Sequence, residues 1–327
     1  MKVVYPVGSD NVGDELNAWM WNQLLSGFPE EDVALLGVGT LLNRQFCERL
    51  QGMKQILVLG TGAGYGELPA IDARWRFYAV RGARTAAKLG LPAQTAVADA
   101  AYLLATLDWA LLPRKSSGVV VVPHHRSLRL LDWEALCADC GLTFLSPLLP
   151  ADAFLQGLRN ADLVLAEAMH GAILADILRV PWRALSFGRH FNTDKWLDWS
   201  EAFDLPLEIT KLHGFYDPSH YSSGKSALKH LGNGLKAGLA RSGLGKGKWS
   251  TVTPPGWPLK SALGRLARDL SHLAVQEGQL SSGVVLDARV SQLYERLSDM
   301  RRDFDLGPVA PLKGDPSGLL GSPGVVQ

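Results

Sequence analysis

Glu167-Ala168-Met169-His170-Gly171 follows an apolar run at 162–166 and opens a helical pattern at 170–178. A strand-to-helix turn of this kind lies at the open edge of a sheet. Helix N–H groups there have no partner within the helix and favour an anion. An imidazole carries or releases a proton near neutral pH, so His170 suits holding a phosphate or shuttling a proton. Glu167 is close enough in sequence to orient the ring or to act as a base. Gly171 lets a ligand approach the backbone. The competing reading is a histidine that only caps or packs the helix start.

Other turns repeat the pattern. Gly8-Ser9-Asp10-Asn11-Val12-Gly13-Asp14-Glu15 separates the first strand from the first helix, so Asn11 and Asp14 can bind sugar hydroxyls, or one residue of the loop is an N-cap. Val80-Arg81-Gly82-Ala83-Arg84 also follows a strand, and a guanidinium fork there pairs with both oxygens of a carboxylate or phosphate. Pro123-His124-His125-Arg126 offers His124 and Arg126 to the same kind of anion. Arg189, His190 and Lys195 add positive groups near 188–199, where the aromatic residues either stack on sugar rings or pack.

Gly60-Thr61-Gly62-Ala63-Gly64-Tyr65-Gly66 fits neither the dinucleotide fingerprint nor a phosphate-binding loop with its lysine; it reads as an open cleft wall. Cys137-Ala138-Asp139-Cys140 lacks partner spacing for zinc and reads as an ordinary helix end. Adjacent histidines on an extended chain point apart, and no ligand cluster demands a metal.

The elements that must position these residues alternate. Strands are expected at 2–7, 33–38, 55–60, 77–81 and 95–98, with helices at 14–25 and 83–89. A linker at 108–117 follows. Strands at 118–122, 142–145, 162–166 and 183–187 then interleave with helices at 132–140, 151–158 and 170–178. Near-continuous Val/Ile/Leu strands between helices indicate parallel sheets covered on both faces. The fold class is therefore α/β, with two Rossmann-like domains facing a cleft and a helical C-terminal extension. The divisions are 1–112, 113–220, a basic Gly/Lys-rich linker at 221–258, helices within 259–305 and a Pro/Gly-rich tail at 306–327.

The 327 residues carry a formal net charge of +1, which gives no reason to expect nucleic acid. Three cysteines argue for a reducing compartment over a disulfide framework. No apolar run reaches the length of a membrane span. A cytoplasmic protein is expected, with 222–250 (which holds six Lys or Arg and no acid) available to touch an anionic membrane surface.

Asn11-x-Gly13-Asp14, Val80-Arg81-Gly82, Asp99-Ala100-Ala101, Glu167-Ala168-Met169-His170-Gly171 with Asp176, Pro181-Trp182, and Lys195-Trp196-x-Asp198-Trp199 together resemble the polysaccharide pyruvyltransferase family. The likeness is greatest to the ketal pyruvyltransferases of xanthan- and succinoglycan-type exopolysaccharide assembly, and it covers about residues 1–220. It implies a GT-B-like fold, phosphoenolpyruvate as co-substrate with no cofactor, and an acceptor sugar on a lipid-linked oligosaccharide at the inner membrane face. His170 and Glu167 would be catalytic. Arg81, Gly171, His124, Arg126 and Lys195 would hold the donor, and Asn11 and Asp14 the acceptor. Where the family often has arginine two residues before this histidine, the chain has Ala168, so the positive charge must come from elsewhere. A nucleotide-sugar glycosyltransferase and a non-catalytic glycan- or anion-binding protein are the alternative readings.

Overall fold

The computed structural model describes residues 1–6, 11–25, 32–107, 112–188, 190–217, 232, 234–236, 238–239, 242–243, 253–256 and 258–306. Gly8, Ser9, Asp10, Arg189, most of the basic segment 222–250 and all but the first residue of the tail at 306–327 lie outside them.

Strands β1 (Lys2–Val3), β2 (Val33–Leu36), β3 (Gln55–Leu59) and β4 (Trp75–Ala79) pair in that order, all parallel. Helix α1 (Val12–Leu24) lies between the first two strands, α2 (Arg44–Cys47) precedes β3, and α3 (Ala83–Lys88) follows β4. The second sheet contains β5 (Val119–Val122), β6 (Thr143–Phe144), β7 (Leu163–Ala166), β8 (Trp182–Ser186) and β9 (Ile209–Lys211). Its order is β6-β5-β7-β8-β9, again all parallel. Its helices are α4 (Trp133–Asp139), α5 (Ala151–Asn160), α6 (Met169–Ile177) and α7 (Thr193–Ser200). Every residue of β2 and β7 is buried, as strands covered on both faces require.

Local chemistry sets the boundaries. Asn11, Asp132 and Asn192 each accept a backbone N–H at the start of α1, α4 and α7. The strand expected at 95–98 does not form. Ala93–Thr95 is a 3-10 turn after Pro92, Val80 and Ala96 make a single bridge, and Asp99 caps a 3-10 helix at Ala100–Thr106. That leaves too little chain for a ladder.

The two sheets share packing. One apolar cluster runs from Leu16, Leu35 and Leu57 in the first half to Val120, Val164 and Ile173 in the second. The C-terminal helices are part of this packing. Helix α8 (Leu259–Ala274) places Ala262, Leu266, Leu270 and Leu273 against Val121, Leu136 and Leu165 of the second half. Helix α9 (Gly283–Arg302), capped by Ser282, buries Leu286, Val290, Leu293 and Leu297 in the cluster that spans both halves. At about 25 cal/mol per Å² of apolar surface, burial of this extent makes both helices integral to the fold.

Candidate active site

A crevice of about 300 Å³ opens where the carboxyl ends of the two sheets meet. Each segment lining it follows a strand. Asn11 and Asp14 come after β1, Gly39 and Thr40 after β2, and Tyr65 after β3. His124, His125 and Arg126 come after β5, Pro147 after β6, His170 after β7, and His190 and Lys195 after β8. Ligands of parallel α/β proteins bind at such edges because the loops and helix N-termini converge there. Of the expected site residues, Asn11, Asp14, His124, Arg126, His170 and Lys195 line this one crevice.

The first-half wall is held rigidly. Asn11 Nδ2 donates to Asp14 Oδ2 at 2.7 Å while Asn11 Oδ1 accepts the Gly13 N–H. Buried Asn17 donates to the Val38 carbonyl and accepts the Val38 N–H, which clamps the end of β2 to α1. The Val12 N–H donates to the Pro147 carbonyl at 2.9 Å and bridges the two halves beside the crevice.

The second-half wall holds three histidine rings. The His124 centroid lies 4.1 Å from that of His125 and 4.2 Å from that of His190. His124 Nδ1 accepts the Arg126 N–H, which leaves Nε2 as the protonated nitrogen of the neutral ring. Burial first, then His190, His125, Lys195 and Arg126, pushes His124 far below the usual imidazole range. Burial and Arg126 lower His125 to about 4. Both rings are neutral at pH 7, so the fixed positive charge of the crevice is that of Arg126 and Lys195. Lys195 Nζ lies 5.7 Å from the centroid of the Tyr65 ring and donates to its hydroxyl at 3.4 Å. Among the described residues, no group of three or more His, Cys, Asp or Glu is arranged to hold a metal ion.

Three expected site residues have other surroundings. Glu167 is 1% exposed, and its partners are not His170. It accepts the N–H groups of His124, Phe187 and Gly188 and stands 3.3 Å from His190 Nε2. Burial raises its carboxyl, but His190 and the donated N–H groups outweigh that and hold it below the usual range. A carboxylate saturated in this way ties the ends of β5 and β8 together. Arg81, expected on the donor, has no solvent contact. Its Nε donates to Asp198 and its Nη1 donates to both the Gly39 carbonyl and Thr40 Oγ1, so it supports the crevice floor from beneath. Gly171 faces the sheet: a Cβ there would stand 3.0 Å from Val122 Cγ1, so the glycine permits close helix–strand packing.

His170 is 12% exposed at its side chain, with Nε2 3.8 Å from Asp99 Oδ2. A Cβ on Gly13 would fall 2.1 Å from His170 Nδ1, so only glycine admits the ring at that point of α1. Asp99 and Tyr65 had no assigned side-chain role, although Asp99 lies in Asp99-Ala100-Ala101 and Tyr65 in the glycine-rich cleft wall, and His190 was expected only to add positive charge near this edge. The aromatics of 188–199 prove to be packing groups, with Trp196 and Trp199 buried against Trp182. The Cys137 thiol is pushed up to about 12 by burial, and Cys140 ends α4. Burial raises both thiols, which disfavours the thiolate form that reactivity requires.

Fold and crevice together define a parallel α/β protein whose polar groups converge on a pocket shared between two sheets. The chain is similar to the succinoglycan biosynthesis protein ExoV of Rhizobium meliloti (strain 1021), at 40% identity over 199 residues. Those residues are 60% of this chain and 62% of that protein, so the match spans less than two thirds of the relative's length. The likeness supports the resemblance to the polysaccharide pyruvyltransferase family that the motifs carry. No protein-family profile matches the chain.

Proposed function

We propose that this protein acts in exopolysaccharide biosynthesis as a ketal pyruvyltransferase. It moves the enolpyruvyl group of phosphoenolpyruvate onto two hydroxyls of a sugar in a lipid-linked repeat unit and releases phosphate. The observation that carries the reading is the crevice itself. It sets the cations Arg126 and Lys195 and the Nε2–H donor of His124 opposite the polar pair Asn11 and Asp14, with His170 lining the same space.

The chemistry asks for no nucleophilic side chain. The methylene carbon of the donor gains a proton and the adjacent carbon becomes cationic. One sugar hydroxyl adds to that carbon and loses its proton. Phosphate departs with a proton, and the second hydroxyl adds and loses its own. Two protons are given up by the hydroxyls, one is taken by carbon and one by phosphate. His170 moves protons between these centres, a role worth roughly 100- to 10,000-fold in rate. Arg126, Lys195 and His124 hold the phosphate and carboxylate as charge moves onto the leaving group. Asn11 and Asp14 orient the acceptor hydroxyls.

The test is phosphate release from phosphoenolpyruvate with membrane-extracted oligosaccharide lipids, followed by mass analysis of the glycan. Release that depends on the lipid, with a gain of one pyruvate ketal, is expected. A product extended by a sugar from a nucleotide donor would replace this reading with a glycosyltransferase. Binding of both ligands without phosphate release would leave a glycan-binding protein. Liposome flotation with and without anionic lipid decides whether the basic segment 222–250 touches an acidic membrane surface or is a solvated loop.

A further inference from the structure

We infer that Asp99 is the positioning residue for His170 and fixes Nδ1 as its proton-exchanging nitrogen. The kinetic part of the inference rests on the pyruvyl-transfer reading, whereas the assignment of the ring proton does not.

Two buried atoms carry the argument. Asp99 Oδ2 and His170 Nε2 are each sealed from solvent without a hydrogen-bond partner, and they stand 3.8 Å from one another. An unpartnered polar atom in an interior is costly, and native proteins rarely leave one. Here an acceptor faces a nitrogen across a gap that a sub-ångström approach closes. A proton on Nε2 satisfies both atoms; a proton on Nδ1 would set a lone pair against a carboxylate. Asp99 is itself fixed, because its Oδ1 accepts the Ala101 N–H at 3.0 Å and starts the 3-10 helix. Glu167, the carboxylate nearer in sequence, is occupied by three backbone N–H groups and His190.

Since Nε2 is sealed, the exposure of His170 belongs to the rest of the ring, which lines the crevice. Nδ1 lies over Gly13, and Asn11 and Asp14 line the same crevice. With the proton held at Nε2, the Nδ1 lone pair takes a proton from an acceptor hydroxyl and returns it to departing phosphate. The carboxylate of Asp99 stabilises the imidazolium between the two events. Asp99 comes from the first half of the chain and His170 from the second, so the working tautomer exists only when the halves are docked.

Asp99→Asn is the informative variant. Asparagine keeps an oxygen for the Ala101 N–H and turns an amide donor toward Nε2, which moves the ring proton to Nδ1. Nitrogen-15 spectra of histidine-labelled protein in alkaline buffer, with His170→Gln to assign the signal, should show Nε2–H in the parent and Nδ1–H in Asp99→Asn. The kcat for phosphate release should fall about 100-fold or more, with the KM for phosphoenolpyruvate within about threefold of the parent. A parent tautomer protonated at Nδ1, or an Asn variant with unchanged tautomer and kcat, overturns the inference. If the parent releases no phosphate from phosphoenolpyruvate, the functional reading fails and the spectra still decide the role of Asp99.

Discussion

Arg81 Nε and Asp198 Oδ2 meet at 3.0 Å in an interior that leaves the two side chains 0% and 1% exposed. Asp198 also accepts the N–H and the hydroxyl of Thr85. The pair fastens α7, which carries Lys195, to the segment between β4 and α3, while Arg81 reaches on to Gly39 and Thr40 at the crevice floor. Removing one member of a buried pair strands the other charge without solvent. Asp198→Ala should therefore lower unfolding stability by about 3–5 kcal/mol, read from urea midpoints. A loss below about 1 kcal/mol, the range of surface pairs, would remove this role. Arg81→Lys should be only a partial substitute, because an ammonium cannot serve Asp198, Gly39 and Thr40 in the fork geometry of a guanidinium.

His170 tests the proton-transfer role directly. It is not a pillar of the core, since its ring lines the crevice at the start of α6. His170→Ala should abolish phosphate release while the circular dichroism spectrum remains that of a folded protein. Gly13→Ala approaches the same ring from the other wall. Its new methyl group would sit 2.1 Å from Nδ1, so the imidazole must move. A misplacement of about 1 Å can cost on the order of 100-fold in rate. Gly13→Ala with parental kcat would show that the ring position is unimportant, and near-normal turnover in His170→Ala would end its assignment.

Donor binding should depend on the two fixed cations. Lys195→Met and Arg126→Gln each remove a charged donor from the crevice, and hydrogen bonds to charged groups contribute roughly 1.5–3 kcal/mol. Each variant should raise the KM for phosphoenolpyruvate about 10- to 100-fold while the acceptor KM changes little. Arg81, beneath the floor, should act mainly on stability. The comparison of steady-state constants with urea midpoints separates a residue that touches the donor from one that supports the wall.

The fold was legible because its signals are local. Buried parallel strands such as β2 and β7 read as unbroken apolar runs, and a Pro- and Ser-containing stretch at 108–117 separates the two α/β units. What the sequence could not disclose is which polar side chain looks outward. Arg81 and Glu167 occupy the right turns, yet each finds partners distant in sequence, Asp198 and Gly188, that turn it into the interior. The partner of His170 was hidden for the same reason. Asp99 lies 71 positions away in the other half, whereas proximity along the chain favoured Glu167. Helix α7 was missed because its core is tryptophan, which reads equally well as a sugar platform. The short β9 carries only three residues, too few for a pattern.

The histidine wall gives the crevice a pH dependence of definite sign. His125 is lowered from 6.5 to about 4 in the folded chain, and His124 lies further down, whereas in the unfolded chain both return to the ordinary range. Below about pH 6.5 the unfolded chain therefore binds protons that the folded chain refuses, and linkage makes stability fall as pH drops from there toward 4. A dianion seated between Arg126 and Lys195 opposes this, because it favours the charged form of each imidazole it faces. Two outcomes are expected. Urea midpoints should fall more between pH 7.5 and pH 5 for the parent than for His125→Asn, which has no titrating ring there. Binding of phosphoenolpyruvate at pH 6 should take up protons, seen as a dependence of the calorimetric enthalpy on buffer ionisation, and the uptake should shrink in His125→Asn. Equal stability losses in both proteins, together with buffer-independent enthalpies, would mean that these rings neither resist protonation in the folded state nor face the bound anion.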